Sequence, residues 1–353
     1  MNRAELEALV RDGEVIGREH RFAGAQLAGA DLSGGIFEGA DFAHADLRGA
    51  NFRESVLSHV RFDGADLSGA DLSQASFNEC SLTHARLTGV KAPLWNAVNC
   101  GMRGTSLAGG DFRVANIMQC RLTRASFAEA EMAKARVLKC RTDGLDLSRA
   151  RCEDAVFIEA DLRQSAIAGT QFFRTVFIGC GFSGRSMQGV SLVGCQFAES
   201  DLTGTDFSGA DLTQAGMQKA KAAGARFENA RLAMAVLLEA SLQGAVLRGA
   251  DLSNAILQGA DLTEADATGA RMYQAVCAGM TAPRARFGQC DMTYADLSHA
   301  NLEQADLAGV TLFRANLHMI KDAGARIPDR RAALPPDQDR AQAEQWQQRF
   351  APR

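Results

Sequence analysis

Nine cysteines and six histidines carry most of the reactive chemistry in this 353-residue chain, and their spacing decides what they can do. Cys80, Cys100, Cys120, Cys140 and Cys180 fall at multiples of twenty. Clustered thiolates would hold zinc or exchange disulfides. Every cysteine, however, takes a slot that at neighbouring five-residue steps holds Ala, Gly, Ser or Thr, or, for Cys152 and Cys277, a large apolar residue. That placement reads as small buried hydrophobes. Stacked about 4.8 Å apart with parallel Cβ vectors, they also miss the closer approach a disulfide needs. The histidines are scattered: His44 and His84 share a column but stand about 10 Å apart, too far to ligate one metal. No P-loop, GxSxG elbow, HExxH, CxxC or EF-hand loop occurs, and the many carboxylates stand on convex sides without a concave pocket. The expectation is a nonenzymatic protein with no catalytic residue, no cofactor and no metal.

The elements that place these residues follow a five-residue pulse. From Phe22 to Leu317, through sixty consecutive pentapeptides, every fifth residue is large and apolar and the residue two before it is small. His20, Trp95, Leu145, Arg185 and Met280 are the exceptions in the small slot. A period of five fits neither the helical 3.6 nor the strand alternation of two, so short extended segments must alternate with regular corners. In Ala30-Asp31-Leu32-Ser33-Gly34, Ala and Leu go in, Asp goes out, and polar or Gly residues round the corner. The recurrence of Cys80 to Cys180, of Phe22, Phe42 and Phe62, and of Phe157, Phe177 and Phe197 in columns of twenty makes one turn four sides. At about 4.8 Å per rung, about fifteen coils make a rod of roughly 70 Å.

These residues bring the chain close to a known family. Ala45-Asp46-Leu47, Ala65-Asp66-Leu67, Ala250-Asp251-Leu252, Ala260-Asp261-Leu262 and Ala295-Asp296-Leu297 carry the A(D/N)LXX signature, and over residues 20–319 the chain resembles the pentapeptide repeat proteins. The resemblance implies an all-β fold, a right-handed quadrilateral parallel β-helix. It does not imply one function, since such solenoids serve as DNA mimics, secretion accessories and scaffolds. Glu5-Leu6-Glu7-Ala8-Leu9-Val10 running into the repeats looks like the start of pentapeptide proteins associated with bacterial type VI secretion. The alternative implied by the family is a DNA mimic that binds DNA gyrase, as in quinolone-resistance members.

Three segments are expected: an N-terminal helical cap over 1–19, the repeats over 20–320, and a linker and helix over 321–353. Asn2 followed by Glu5 reads as a capping box opening a helix with Leu6, Leu9 and Val10 on one face. After Leu317 the pulse stops, Pro328, Pro335 and Pro336 make a linker, and Asp337 is placed to cap a helix through Phe350. Trp346 and Phe350, four apart, are expected to pack on the rod or to pair with a second subunit. No signal peptide or membrane-spanning run is present, so a bacterial cytoplasm is the expected compartment.

The outward residues carry the functional signal. On one side the residue before the large position reads Ile36, Val56, Val156, Val176, Val236, Ile256 and Val276, interrupted by polar members, and the residue after it reads Val98, Met118, Leu138, Ile158, Ile178, Ala198 and Leu238. β-branched residues favour strands anyway, but a contiguous apolar patch usually marks an interface. The candidate protein interface is Val98, Met118, Leu138, Val156, Ile158, Val176, Ile178, Val236 and Leu238, covered by a protein partner or a second copy. At Lys91-Ala92-Pro93-Leu94-Trp95-Asn96 the inward pattern fails, so the coil is expected to bulge and to offer Leu94 and Trp95 as an anchor, with a repacked corner as the other reading. Arg185 points to a second bulge. Residues 81–152 hold twelve Lys or Arg against five acids, while the whole chain is −4. That basic belt suits an acidic partner, interrupts the acidic surface a DNA mimic needs, and lacks the interleaved aromatics of direct nucleic-acid binding.

Overall fold

The computed structural model describes residues 2–335 and 337–350, with the backbone alone for Gln345 and 347–350. Two compact units divide the chain, Met1–Gly181 and Phe182–Arg353. Each is a right-handed, four-sided parallel β-helix whose rungs lie twenty residues apart.

In the first unit, helix α1 (Arg3–Arg11) precedes β1 (Val15–Ile16), β2 (Ile36–Glu38), β3 (Val56–Ser58), β4 (Ser76–Asn78), β5 (Asn96–Val98), β6 (Asn116–Met118), β7 (Arg136–Leu138), β8 (Val156–Ile158) and β9 (Val176–Ile178). These nine strands pair in chain order into one parallel ladder on a single side. Isolated bridges such as Arg21↔Asp41, Gln26↔Asp46 and Asp31↔Asn51 carry the other sides. The second unit keeps the twenty-residue step through bridges alone, from Ser186↔Asp206 to Asp306↔Arg326. Nine strands are fewer than the about fifteen coils expected, because the rungs of the second unit pair through single-residue bridges such as Gly216↔Val236 and Val236↔Ile256 and form no three-residue strand. The ladder starts at Val15 and the bridges reach Arg326, so the repeat architecture extends past both expected limits, 20 and 320.

The corners explain the repeat. The residue two beyond nearly every large apolar position has positive φ, and in most corners the next N–H donates back to the large residue's carbonyl, as from Ala25 to Phe22 at 2.9 Å around Gly24 (φ 70°). That is the geometry of a type II turn. The outward Asp or Asn of the signature accepts the N–H two residues on, from Ser68 to Asp66 at 3.0 Å and from Arg53 to Asn51 at 3.0 Å, so the side chain pins the turn. The corner after the β ladder lacks the turn bond, and here the cysteine column supplies a partner. The Cys100 N–H donates to Cys120 Sγ and the Cys120 N–H to Cys140 Sγ, each at 3.3 Å. All nine cysteines are buried and unbridged, and burial pushes the Cys180, Cys277 and Cys290 thiols up to about 12.

Inside, like stacks on like. Phe22, Phe42 and Phe62 lie at centroid spacings of 4.8 and 5.4 Å, and in the second unit Phe207 and Phe227 at 5.2 Å. Large residues in small slots are accommodated by exchange of volume. Trp95 is flanked by Ala92 and Ala97 in large slots, Leu145 by Thr142, and Met280 by Cys277 and Ala282, and all of these are buried. The expected bulge at Trp95 is therefore absent: its N–H keeps the turn bond to Ala92 at 3.2 Å and its ring is 0% exposed, between Phe77 and Phe112. Arg185 has no such compensation from Phe182 and Met187, yet its turn bond to Phe182 holds at 3.0 Å, so no bulge forms there either. Its side chain is half-buried, and burial lowers its pKa from the ordinary arginine value.

Both ends are closed by added segments. In α1 the capping box is complete, with the Glu5 N–H on Asn2 Oδ1 and the Asn2 N–H on Glu5 Oε2, each at 3.0 Å. Leu6 is buried, Glu7 Oε1 accepts the Asp31 N–H at 2.9 Å, and Arg3 Nη1 donates to the Ala28 carbonyl at 3.0 Å. The helix thus satisfies edge groups of the first coil that would otherwise be open to another chain. At the other end a 3-10 turn (Arg330–Ala332) leads to α2 (Gln338–Phe350), whose Asp337 accepts the Arg340 N–H at 2.9 Å as an N-cap. The Leu334 N–H donates to the Ala315 carbonyl at 2.9 Å and so closes part of the last edge.

Candidate protein interface

Side-chain placement on the ladder follows from strand alternation: in each three-residue strand the centre faces the core and its neighbours face out. Parallel register then makes Val98↔Met118, Met118↔Leu138, Leu138↔Ile158 and Ile158↔Ile178 direct neighbours, with Val156↔Val176 beside them. Ile178 is 37% exposed and the other six are half-buried. Met118, Leu138 and Ile158 line a shallow depression of about 260 Å³ edged by Gln119 and Lys139. Met118, Leu138 and Ile158 present mainly apolar surface, which is suited to contact.

The remaining candidates divide. Val236 and Leu238 are half-buried in the second unit, where Val236 bridges to Ile256 and Ile256 to Val276. Leu94 is 52% exposed at a corner with φ 60°, but its partner in the expected anchor, Trp95, is enclosed in the core. Trp346 is 63% exposed on α2. The side chain of Phe350 lies outside the described residues.

Electrostatics around the ladder remain positive. In the belt, Arg113 pairs with Asp111 at 2.6 Å, Arg149 with Glu129 at 2.9 Å, and Arg86, Arg151 and Lys139 more loosely with carboxylates at 3.4 to 3.6 Å. Arg103, Arg121, Arg124, Lys134, Arg136 and Arg141 have no ion-pair partner among the described residues. Arg136 stands beside the apolar column, paired with Val156 in the ladder.

One cluster departs from the expectation that the histidines are scattered. His299 and His318 lie nineteen apart, not twenty, which sets them at neighbouring positions of the same corner in successive coils. Glu344 joins them from α2. A search for histidines one short of the repeat finds the pair; the carboxylate comes from outside the repeat and follows no period.

A family model of pentapeptide repeats matches eight copies, over residues 21–58, 55–91, 175–214, 191–229, 223–259, 245–276 and 290–320. Among curated proteins none matches. Solved structures similar to the chain include HetL, a pentapeptide repeat protein involved in heterocyst differentiation regulation from the cyanobacterium Nostoc sp. strain PCC 7120, at 24% identity, covering 79% of this chain and 96% of that one with a TM-score of 0.18. A pentapeptide repeat protein from the Arabidopsis thaliana thylakoid lumen is 31% identical over 30% of this chain and 67% of its own, with a TM-score of 0.22. A trypsin-treated form of QnrB1, a plasmid-mediated fluoroquinolone resistance protein, is 20% identical over 63% and 99%, with a TM-score of 0.27. At these TM-scores the structural likeness adds nothing to what the repeats carry.

Proposed function

We propose that this chain, which belongs to the pentapeptide repeat family, is a nonenzymatic scaffold that binds protein through the apolar column of its first unit. The observation that carries the reading is the unbroken file Val98–Met118–Leu138–Ile158–Ile178, each residue the direct cross-rung neighbour of the next. Outward strand positions need no such run, and apolar contact area is what drives association. Arg136 and Lys139 flank the file, which suits a partner with apolar residues between carboxylates. That partner is another protein or a second copy of the chain.

The finer reading, an accessory of bacterial type VI secretion working in the cytoplasm, rests on the sequence Glu5–Val10 ahead of the repeats. The structure contributes only that no described helix is long and apolar enough to cross a membrane. A gyrase-binding DNA mimic is less well supported, because unpaired arginines of the belt face where such a mimic needs phosphate-like charge.

Val156→Asp with Ile178→Asp tests the interface. Both side chains point out of the ladder, so circular dichroism should be unchanged, while burying two carboxylates against apolar surface costs several kcal/mol and removes partner capture or self-association. Unchanged mass in light scattering together with unchanged partner recovery would leave these residues as strand formers only.

A further inference from the structure

His299 Nε2 and His318 Nε2 lie 3.1 and 3.0 Å from the same oxygen, Glu344 Oε2. The three donor atoms all fall within 4.8 Å of one another, and the two imidazole rings meet nearly edge to face, 5.4 Å apart at 84°. We propose that His299, His318 and Glu344 form a binding site for one divalent transition-metal ion of the zinc class, with water completing the coordination. Two imidazoles and one carboxylate suit zinc, nickel or copper and not magnesium or calcium, which take all-oxygen shells. Metal–ligand bonds of about 2.0–2.2 Å in a tetrahedron set neighbouring ligand atoms roughly 3.3–3.5 Å apart. The two nitrogen-to-oxygen spacings are a few tenths of an ångström short of that and the nitrogen-to-nitrogen spacing is within 4.8 Å, so side-chain rotations bring the three atoms onto one ion.

The ligands are held from behind. Arg340 Nε donates to the other carboxylate oxygen of Glu344 at 2.8 Å, keeping Oε2 aimed at the histidines. The His299 N–H donates to the His318 carbonyl at 2.8 Å and the His318 N–H to Asn316 Oδ1 at 3.1 Å, which fixes the two coils against each other. The Arg340 bond to the carboxylate is the kind of outer contact that orients a metal ligand. The His318 side chain is 5% exposed and borders a cavity of about 600 Å³ lined also by Leu317, Arg330 and Leu334, whereas His299 and Glu344 are 40% and 24% exposed, so water reaches the site from their side. Because two ligands come from the coils and the third from α2, the ion would clasp the tail to the second unit's last turns.

The full chain, stripped with a chelator, is titrated with Co²⁺ at about pH 7.5, where free imidazole is neutral. The expected result is saturation at one equivalent with a visible absorption band of low-coordinate cobalt, displaced by Zn²⁺. His299→Ala and Glu344→Gln should each weaken binding about tenfold or more with unchanged circular dichroism. Both positions are partly solvent-exposed, so neither variant carries the folding risk that replacing buried His318 does. Absence of a saturable cobalt band, or a band that survives both substitutions, overturns the proposal and leaves a carboxylate accepting two imidazole N–H bonds.

Discussion

Trp95 fills volume that Ala92 and Ala97 leave free, between the rings of Phe77 and Phe112 at 5.4 and 6.0 Å, so nothing nearby can close the hole left by its removal. Trp95→Ala is expected to cost about 3–5 kcal/mol, read from urea unfolding, whereas Leu94→Ser at the exposed corner stays within about 0.5 kcal/mol. The reverse order would restore the tryptophan as a surface anchor. Judged by its own size, Trp95 does not fit its slot; judged with the alanines on either side, it does. Burial was therefore legible in the sequence, but only from three positions together. The outward aspartates make a second residue-scale prediction. Side-chain hydrogen bonds from Arg48, Arg113 and Arg163 hold Asp46, Asp111 and Asp161 below the usual carboxylate range, helped by the backbone N–H two residues on. A carboxylate depressed in the folded state contributes stability above its unfolded pKa of about 3.9 and loses it as pH falls through the folded value. The melting temperature should accordingly hold from neutrality to about pH 4 and then decline; a decline that begins near pH 6 would implicate histidines instead.

Helix α1 acts on the first coil through Glu7 and Arg3, which satisfy the Asp31 N–H and the Ala28 carbonyl. Removing residues 1–13 would expose those groups and the apolar surface under Leu6, so the truncated protein is expected to self-associate, with a mass that rises with concentration in light scattering. A monodisperse truncated protein of unchanged mass would show that α1 is not what protects the edge. The helix was legible from Asn2 and Glu5, and the coils from the five- and twenty-residue periods, because both are local or strictly repeated signals. The missing turn bond beside the β ladder was not, since corner type depends on backbone geometry that many residues tolerate. Nor was the docking of α2, which depends on Glu344 meeting two histidines that only the folded coils bring together.

At the scale of the whole molecule, a chain of net charge −4 carries a run of basic residues without ion-pair partners among the described residues, from Arg103 to Arg141 in its first unit, and one of them, Arg136, stands beside the apolar file. Under the proposed function, charge of this kind would speed encounter with an acidic partner that the apolar residues then hold. The positions of that file were readable in the sequence because parallel register stacks residues twenty apart; whether they form a contact surface is a question for solution. Leu138 and Ala128 answer it as a pair, since both are half-buried outward residues of one coil, on the apolar side and on another side. A photo-crosslinking residue placed at Leu138 should yield a discrete crosslinked protein, a second copy or another chain, and the same residue at Ala128 should not. Equal yields from the two positions, or none from Leu138, would contradict the assignment of the apolar column as the binding face.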